Sequence, residues 1–336
     1  MHGHRCPSEL ARPLVRRADG RSPSCGRLQF RSGGYLRALA RLQKFARAGT
    51  VPILLEGESG TGKTQHASYV HRQSERAEGP FQIAILSAIA DGFAASELFG
   101  HVAGAFTDAR QSRPGLFASA AGGTLFLDEI GKSSRSVQQL LLHVVEYGEM
   151  RPLGSDRVVR TDARVVSASN KPLSRLVAED RFLPDLHARL ANFRVELPPL
   201  RDRRADIPIL VEEYVSRHAY GYGYATEPAV HPELMTALEG APWPNNLREL
   251  DATIQRLLID ADGASVLTTD LCVGDLAHLR QRGKPKPGTL CRADVDRAIA
   301  TAGDVSKAAR LLEVDRSTVY RILQRRRADA TPDSCN

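Results

Sequence analysis

The stretch Gly57-Glu58-Ser59-Gly60-Thr61-Gly62-Lys63-Thr64 decides the fold. Its spacing, G-x-x-x-x-G-K-[ST], carries meaning only between a strand and a helix. Val51-Pro52-Ile53-Leu54-Leu55 stands before it, a short apolar run suited to a buried parallel strand. A predicted helix opens at its end. The glycines let backbone N–H groups curl around phosphate oxygens, and the helix N-terminus adds positive potential. Lys63 is placed to reach the β- and γ-phosphates of a nucleotide, and Thr64 to hold Mg²⁺.

A second half of such a site is expected further along, and Thr124-Leu125-Phe126-Leu127 supplies it by running into Asp128-Glu129. In this class of fold an acidic pair at the C-terminal end of a strand sits beside the phosphate loop. Asp128 is expected to support Mg²⁺ and Glu129 to polarise an attacking water. The two halves together point to ATP. Similar apolar runs occur at Phe81 to Leu86 and Ala163 to Ser167, with helical segments such as Ser136 to Glu146 between them. Before them, Leu36, Leu39, Leu42, Phe45 and Ala46 recur at helical spacing. Strands alternating with helices predict an α/β domain with a parallel sheet, ending near Leu197. Pro198-Pro199 marks a break. Ile207 to His218, His231 to Leu238 and Leu247 to Ile259 then read as helices with no strands between them, a separate helical subdomain.

The chain has 336 residues, a formal net charge of +7, 42% hydrophobic and 25% charged residues, ordinary for a soluble globular protein with a basic surface. Its 5 cysteines, Cys6, Cys25, Cys272, Cys291 and Cys335, are scattered and lack metal-ligand spacing, so free thiols in a reducing cytoplasm are expected. No apolar run approaches the roughly 20 residues of a membrane span. The polar, Arg-rich N-terminus has no apolar segment of a secretory signal. Near the other end, Gly303 to Leu323 reads as helix-turn-helix. Ala308 and Ala309 are small enough for close helix crossing, and Leu312, Val314, Val319, Ile322 and Leu323 form its core. The second helix presents Arg316, Ser317, Thr318, Tyr320, Arg321 and Arg325, a set able to serve bases and phosphates in a major groove.

Five segments, "GESGTGKT", "SELFGHVAGAFTDA", "GGTLFLDEI", "LLHVVEYGEMRPLG" and "LPPLRDRRADI", together resemble the central AAA+ domain of bacterial enhancer-binding proteins. These are ATPases that activate transcription by sigma-54 RNA polymerase, and the resemblance runs from about Ser32 to Leu276. It implies that Gly104, Ala105, Phe106, Thr107, Asp108 and Ala109 form a sigma-contacting loop. Phe106 and Thr107 are then the contact residues, on small neighbours that keep the loop slender. It implies that Asn170 is a sensor, Arg189 a finger presented to a neighbouring subunit's ATP, and Arg248 a second sensor on the lid. It also implies assembly from dimers to a hexameric ring, with itself or with a paralogous subunit. The C-terminal unit resembles the Fis-type helix-turn-helix of the same family, with Asp294 to Thr301 as pairing helix, binding upstream double-stranded DNA. A cytoplasmic, nucleoid-associated bacterial protein follows. The expected organisation is a disordered basic tail over 1–31, an α/β P-loop AAA+ subdomain over 32–200 and a helical lid over 201–278. A linker over 279–290, a helix-turn-helix over 291–327 and a tail over 328–336 complete it. The short tail leaves no room for an N-terminal receiver domain, so control by expression level or a separate partner is expected.

Four positions depart from the family. Leu183, in Phe182-Leu183-Pro184-Asp185-Leu186, stands where the first of two arginine fingers is usual, with Arg181 nearby. Ile85 stands where an asparagine restrains the catalytic glutamate, Asn245 where the lid usually has glycine, and Asp108 at the second glycine of the sigma loop. Two readings follow: an active ATPase that remodels sigma-54 polymerase, and an ATP-binding, weakly hydrolysing DNA-bound regulator, either mixed-ring partner or repressor. The retained Lys63, Thr64, Asp128, Glu129, Asn170, Arg189 and Arg248 favour the first.

Overall fold

A computed structural model describes residues 30–107 and 109–272, with the single positions 276, 304, 305 and 319. Helix α1 (Gly33–Ala46) leads into strand β1 (Ile53–Glu56), helix α2 (Lys63–Arg72), strand β2 (Phe81–Ile85) and helix α3 (Asp91–Phe99). Strands β3 (Gly100–His101) and β4 (Arg113–Pro114) precede α4 (Leu116–Ser119), β5 (Thr124–Asp128) and α5 (Arg135–Tyr147). Next come β6 (Glu149–Met150), β7 (Val159–Arg160), β8 (Arg164–Ser169), α6 (Leu173–Ala178), α7 (Pro184–Ala191) and β9 (Arg194–Glu196). The remainder is α8 (Ile207–His218), β10 (Ala229–Val230), α9 (Pro232–Gly240), α10 (Asn246–Asp260) and β11 (Val266–Leu267).

The chain divides into two units. The first takes the described residues up to Tyr214 together with Pro242–Ile254. Its core is a five-stranded sheet in the order β2-β5-β8-β1-β9, with every pairing parallel. β1 and β8 are buried along their whole length, as strands covered on both faces must be. Alternation sorts their side chains. Leu54, Leu125, Leu127 and Val165 meet Phe117 of α4, Leu141 of α5 and Leu186 of α7. Ile53, Leu55, Phe126, Val166 and Ala168 meet Leu42 of α1 and Val70 of α2. Each such Leu or Phe contributes roughly 1.5–3 kcal/mol by leaving water. Helix α5 buries Val137, Leu141 and Val144 along one stripe, and Gly148, at φ 67°, ends it by donating its N–H to the Val144 carbonyl.

Arg164 opens β8 and is fully buried. Its guanidinium donates to the carbonyls of Ala46 at 2.7 Å and Phe45 at 2.5 Å, the last of α1. A helix end leaves carbonyls without partners and carries partial negative charge, so a cation there serves as a cap. Burial pulls its pKa down to about 10.

The second unit takes Val215–Ala241 and the described residues from Gln255 onward. Leu234, Ala237 and Leu238 of α9, Leu257 and Leu258 of α10, and Leu267 are buried in it. Tyr224 donates its hydroxyl to the Leu258 carbonyl at 2.7 Å. Three differences from the sequence reading stand out. β10 and β11 pair in parallel where only helices were expected, because two-residue strands leave no alternation to read. β9 was not read at all, since Arg194-Val195-Glu196 has a single apolar residue, yet Leu54 to Glu56 of β1 pair along it. Phe30 and Arg31, assigned to the tail, are held: the Arg31 and Ser32 N–H groups donate to Asp206, and the Phe30 ring packs edge-on against Tyr35. The expected helix-turn-helix, with Arg316, Ser317, Thr318, Tyr320, Arg321 and Arg325, lies outside the described residues, as does Asp108.

Candidate nucleotide site

β1 delivers Gly57 at the carboxyl end of the sheet, between the ends of its neighbours β8 and β9. Open parallel sheets bind ligands in that position. The Gly57 N–H donates to the Ser169 carbonyl at 3.3 Å, and the Thr61 hydroxyl to the Glu58 carbonyl at 2.9 Å, which curls the loop back on itself. Gly60 lies at φ 79° and Gly62 at φ 93°. At Gly60 a methyl group would lie 2.0 Å from the Asn245 carbonyl oxygen, so no other residue fits.

Lys63 is 6% exposed and donates its ammonium to the Gly57 carbonyl at 2.7 Å and the Glu58 carbonyl at 2.9 Å. Burial lowers its pKa to about 8, opposed by the nearby charges of Asp128 and Glu129. Thr64 follows on the exposed side of α2. Asp128 ends β5, and its Oδ1 accepts the Glu129 N–H at 2.9 Å. Desolvation raises the pKa of its carboxyl.

Glu129 has left-handed backbone, φ 56°. Asn170, at the end of β8, donates Nδ2 to Glu129 Oε1 at 2.6 Å, and Lys132 donates Nζ to Glu129 Oε2 at 2.8 Å. Lys132 first and Ser87 second hold the carboxyl below its ordinary range. The sequence brought Asp128, Glu129 and Asn170 into one proposal, and the structure brings them together at one end of the sheet. Ser87 and Lys132 were missed. Ile85, half-exposed at the end of β2, offers no donor.

The first turn of α10 lies against the loop. Arg248 donates Nη1 to Ser59 Oγ at 3.2 Å, and the Leu247 N–H donates to the Gly60 carbonyl at 3.0 Å. Asn246, buried at φ 54°, accepts from the Leu200 N–H at 2.7 Å and donates to the Ser59 carbonyl at 2.8 Å. Arg201 grips Glu58 with two bonds of 2.6 and 2.8 Å, which draws the Glu58 carboxyl down in pKa. Asn246 and Arg201 were also missed. Each sits in a motif that was quoted, "WPNNLREL" and "LPPLRDRRADI", but no spacing rule ties them to Glu58. The extra asparagine, Asn245, gives its N–H to Glu249 at 2.8 Å and turns its carbonyl on Gly60.

Two expected features lie apart from this cluster. Arg189, on α7, pairs with Glu146 of α5 at 2.5 Å. Leu183 packs against the core, and its N–H donates to Gln138 at 2.8 Å. Nearby Arg181 pairs with Glu179 at 3.4 Å. The loop from Gly104 to Ala109 follows β3. Gly104, at φ 82°, donates its N–H to the Ala109 carbonyl at 2.7 Å, and the Ala109 N–H donates to the Phe106 carbonyl at 2.9 Å. Phe106 is 38% exposed, with its ring 5.0 Å from that of His101. Ser96 fixes that imidazole through a 2.8 Å hydrogen bond. Ala105 lies over Gly154, where a methyl group would stand 2.7 Å away, and Thr107 is exposed.

A glycine-rich loop after a buried strand, an acidic pair on a second strand and a polar side chain from the strand between them define an AAA+ P-loop NTPase domain. Residues 29–196 match the model of the Sigma-54 interaction domain, and residues 201–286 that of the AAA+ ATPase lid domain. The chain belongs to the sigma-54 interaction domain family. It is 43% identical over 222 residues to the DNA-binding transcriptional regulator NtrC of Salmonella typhimurium, covering 66% of this chain and 47% of that one. It is 36% identical over 295 residues to the anaerobic nitric oxide reductase transcription regulator NorR of Aeromonas hydrophila, covering 81% and 58%. The chain thus spans about half the length of the curated relatives it matches. Among solved structures, NtrX from Brucella abortus in complex with ATP superposes with a TM-score of 0.66 at 30% identity, over 89% of this chain and 68% of that one. No helix among the described residues is long and apolar enough to cross a membrane.

Proposed function

We propose that this chain is a sigma-54-dependent transcriptional activator. It binds upstream double-stranded DNA through residues 291–327, hydrolyses ATP in a ring oligomer, and uses that cycle to remodel sigma-54 RNA polymerase. One observation carries the reading: Glu129 is held by Asn170 within the same site as the Lys63 loop. Phosphoryl transfer is catalysed mainly by positioning and charge stabilisation, and these groups supply both. The backbone N–H groups of Gly57 to Thr64 cradle the phosphates, and Lys63 offsets their charge. Glu129 orients the attacking water while Asn170 fixes its carboxylate. Thr64 and Asp128 offer a hydroxyl and a carboxylate oxygen, the hard ligands Mg²⁺ takes alongside phosphate. Bound there, Mg²⁺ neutralises charge that develops on the phosphates.

Arg248 reads the nucleotide from α10, and Arg189 serves a neighbouring subunit, which makes turnover depend on assembly. Phe106 and Thr107 touch the sigma factor. The likeness to NtrX in complex with ATP supports ATP as ligand, and the match to the sigma-54 interaction domain supports the partner. A second reading is a weakly hydrolysing DNA-bound regulator or mixed-ring partner. Leu183 favours it, because a core-packed leucine gives no second finger.

Steady-state ATPase measured against protein concentration separates the two. Turnover is expected to rise with assembly and to vanish in Glu129→Ala. Background hydrolysis at every concentration would overturn the first reading. Arg316→Ala and Arg321→Ala are expected to weaken binding to the protein's own promoter region while leaving ATPase activity in place. Unchanged binding would refute that DNA surface.

A further inference from the structure

We propose that Ser87 and Lys132 are positioning residues for the Glu129 carboxylate, fixing it jointly with Asn170 from separate segments of the chain. The proposal rests on the reading of Glu129 as the group that orients the attacking water.

The geometry leads there in three steps. First, a glutamate side chain has several free torsions, and one hydrogen bond leaves it free to swing. Here Oε1 accepts from Asn170 at 2.6 Å and Oε2 from Lys132 at 2.8 Å, and Ser87 lies near enough to lower the pKa of the same carboxyl. Both oxygens are therefore tied. A carboxylate accepts at about four sites, so these two bonds leave room for the Ser87 hydroxyl and for a water.

Second, the fold accounts for each donor. β2 pairs in parallel with β5, with Ile85 opposite Asp128. The Leu86 N–H adds one more rung by donating to the Asp128 carbonyl at 3.0 Å. The turn after β2 is thereby drawn along the end of β5, and Ser87 comes within reach of Glu129. Ile85, the last residue of the strand, has no group to offer. Lys132 closes the short 3-10 turn Ile130–Lys132, in which side chains three apart stand over one another. That places its ammonium above Glu129.

Third, the backbone of Glu129 sits at φ 56°, a conformation a residue with a side chain keeps only where its surroundings determine it. The bonds from Asn170 and Lys132, with Ser87 beside them, are such surroundings. Neither Ser87 nor Lys132 is in the core: Ser87 is exposed and the Lys132 side chain is 58% exposed. Their role is therefore in the placement of Glu129 and not in the stability of the fold.

The test is ATPase kinetics of the full chain. Ser87→Ala and Lys132→Met are each expected to lower kcat by roughly 3–10-fold, with KM for ATP and the thermal midpoint unchanged. Ser87→Thr and Lys132→Arg, which keep the donors, are expected to restore most of the loss. In a Glu129→Gln background neither change is expected to matter further, since the group they place is gone. Wild-type or raised kcat in both Ser87→Ala and Lys132→Met would overturn the proposal while leaving Glu129 in its role. Full activity in Glu129→Gln, or a chain that binds ATP and hydrolyses none, would overturn the reading beneath it and the proposal as well.

Discussion

The loop at Gly57–Thr64 and the loop at Gly104–Ala109 are both glycine-bearing, and they are held in opposite ways. The first is gripped from every side. Its backbone is bound by Lys63, Ser169, Asn246 and Leu247, its Glu58 by Arg201, and Gly60 has no room for a methyl group. Among the described residues the second has two backbone bonds within itself, between Gly104, Phe106 and Ala109, and one from Ala105 back to Val102, and its Gly104 has open space around it. Its ring touches one imidazole and keeps 38% of its surface in water. A catalytic site gains from pre-set groups, because reorganisation at the moment of reaction is avoided. A contact loop gains from the reverse, since it has to move to meet a partner.

The largest effect should come from the gripped loop. Lys63→Ala removes the buried cation that the Gly57 and Glu58 carbonyls hold in the loop, and ATP turnover should fall by on the order of 10²–10³, read in a steady-state assay. Gly60→Ala should follow. Its methyl group would meet the Asn245 carbonyl, so the first turn of α10 must lift away, and nucleotide affinity measured by titration should drop roughly tenfold or more. Retained affinity would show that this contact is dispensable. At the other loop, Phe106→Ala should abolish transcription from a sigma-54 promoter while ATPase stays within about twofold and stability within about 0.5 kcal/mol. Normal transcription would remove the contrast between the loops. Asp108→Gly should keep or improve sigma engagement in the same assay, because glycine has the wider range of backbone conformations. The smallest effect should be Arg201→Lys. Its pair with Glu58 is about two-fifths exposed, so loss of the second hydrogen bond should change stability by less than about 1 kcal/mol in a denaturant melt.

The same contrast explains what the sequence told. Lys63, Thr64, Asp128 and Glu129 were legible because their chemistry is written in neighbouring residues: apolar run, then loop, then helix or acidic pair. Asn170 and Arg248, which the structure brings to the site, were legible only through the likeness of longer segments to a family, and Arg189, named on the same ground, lies apart from the site against Glu146. The grip itself was not legible. Arg201 meets Glu58 across 143 positions and Asn246 meets Ser59 across 187, and a pairing over such distances leaves no local pattern. Ser87 was hidden behind Ile85, the position where a donor was expected and missing. β9 escaped for a related reason: what makes it a strand is the exposed edge of β1, not its own composition.

That edge has a consequence for how the protein is made. β1 leaves the ribosome well ahead of its hydrogen-bonding partners β8 and β9, which are translated about a hundred residues later. The last carbonyls of α1 likewise wait for Arg164, 118 residues downstream of Ala46. At about 5–20 residues per second, the nascent chain holds an unpaired apolar strand for on the order of ten seconds. Long-range parallel pairing also closes slowly. The phosphate loop is thus synthesised early and completed late. Truncated chains that end before Glu196 are expected to be captured by chaperones or to aggregate, and they should gain the ability to retain nucleotide only once Arg194-Val195-Glu196 has been added.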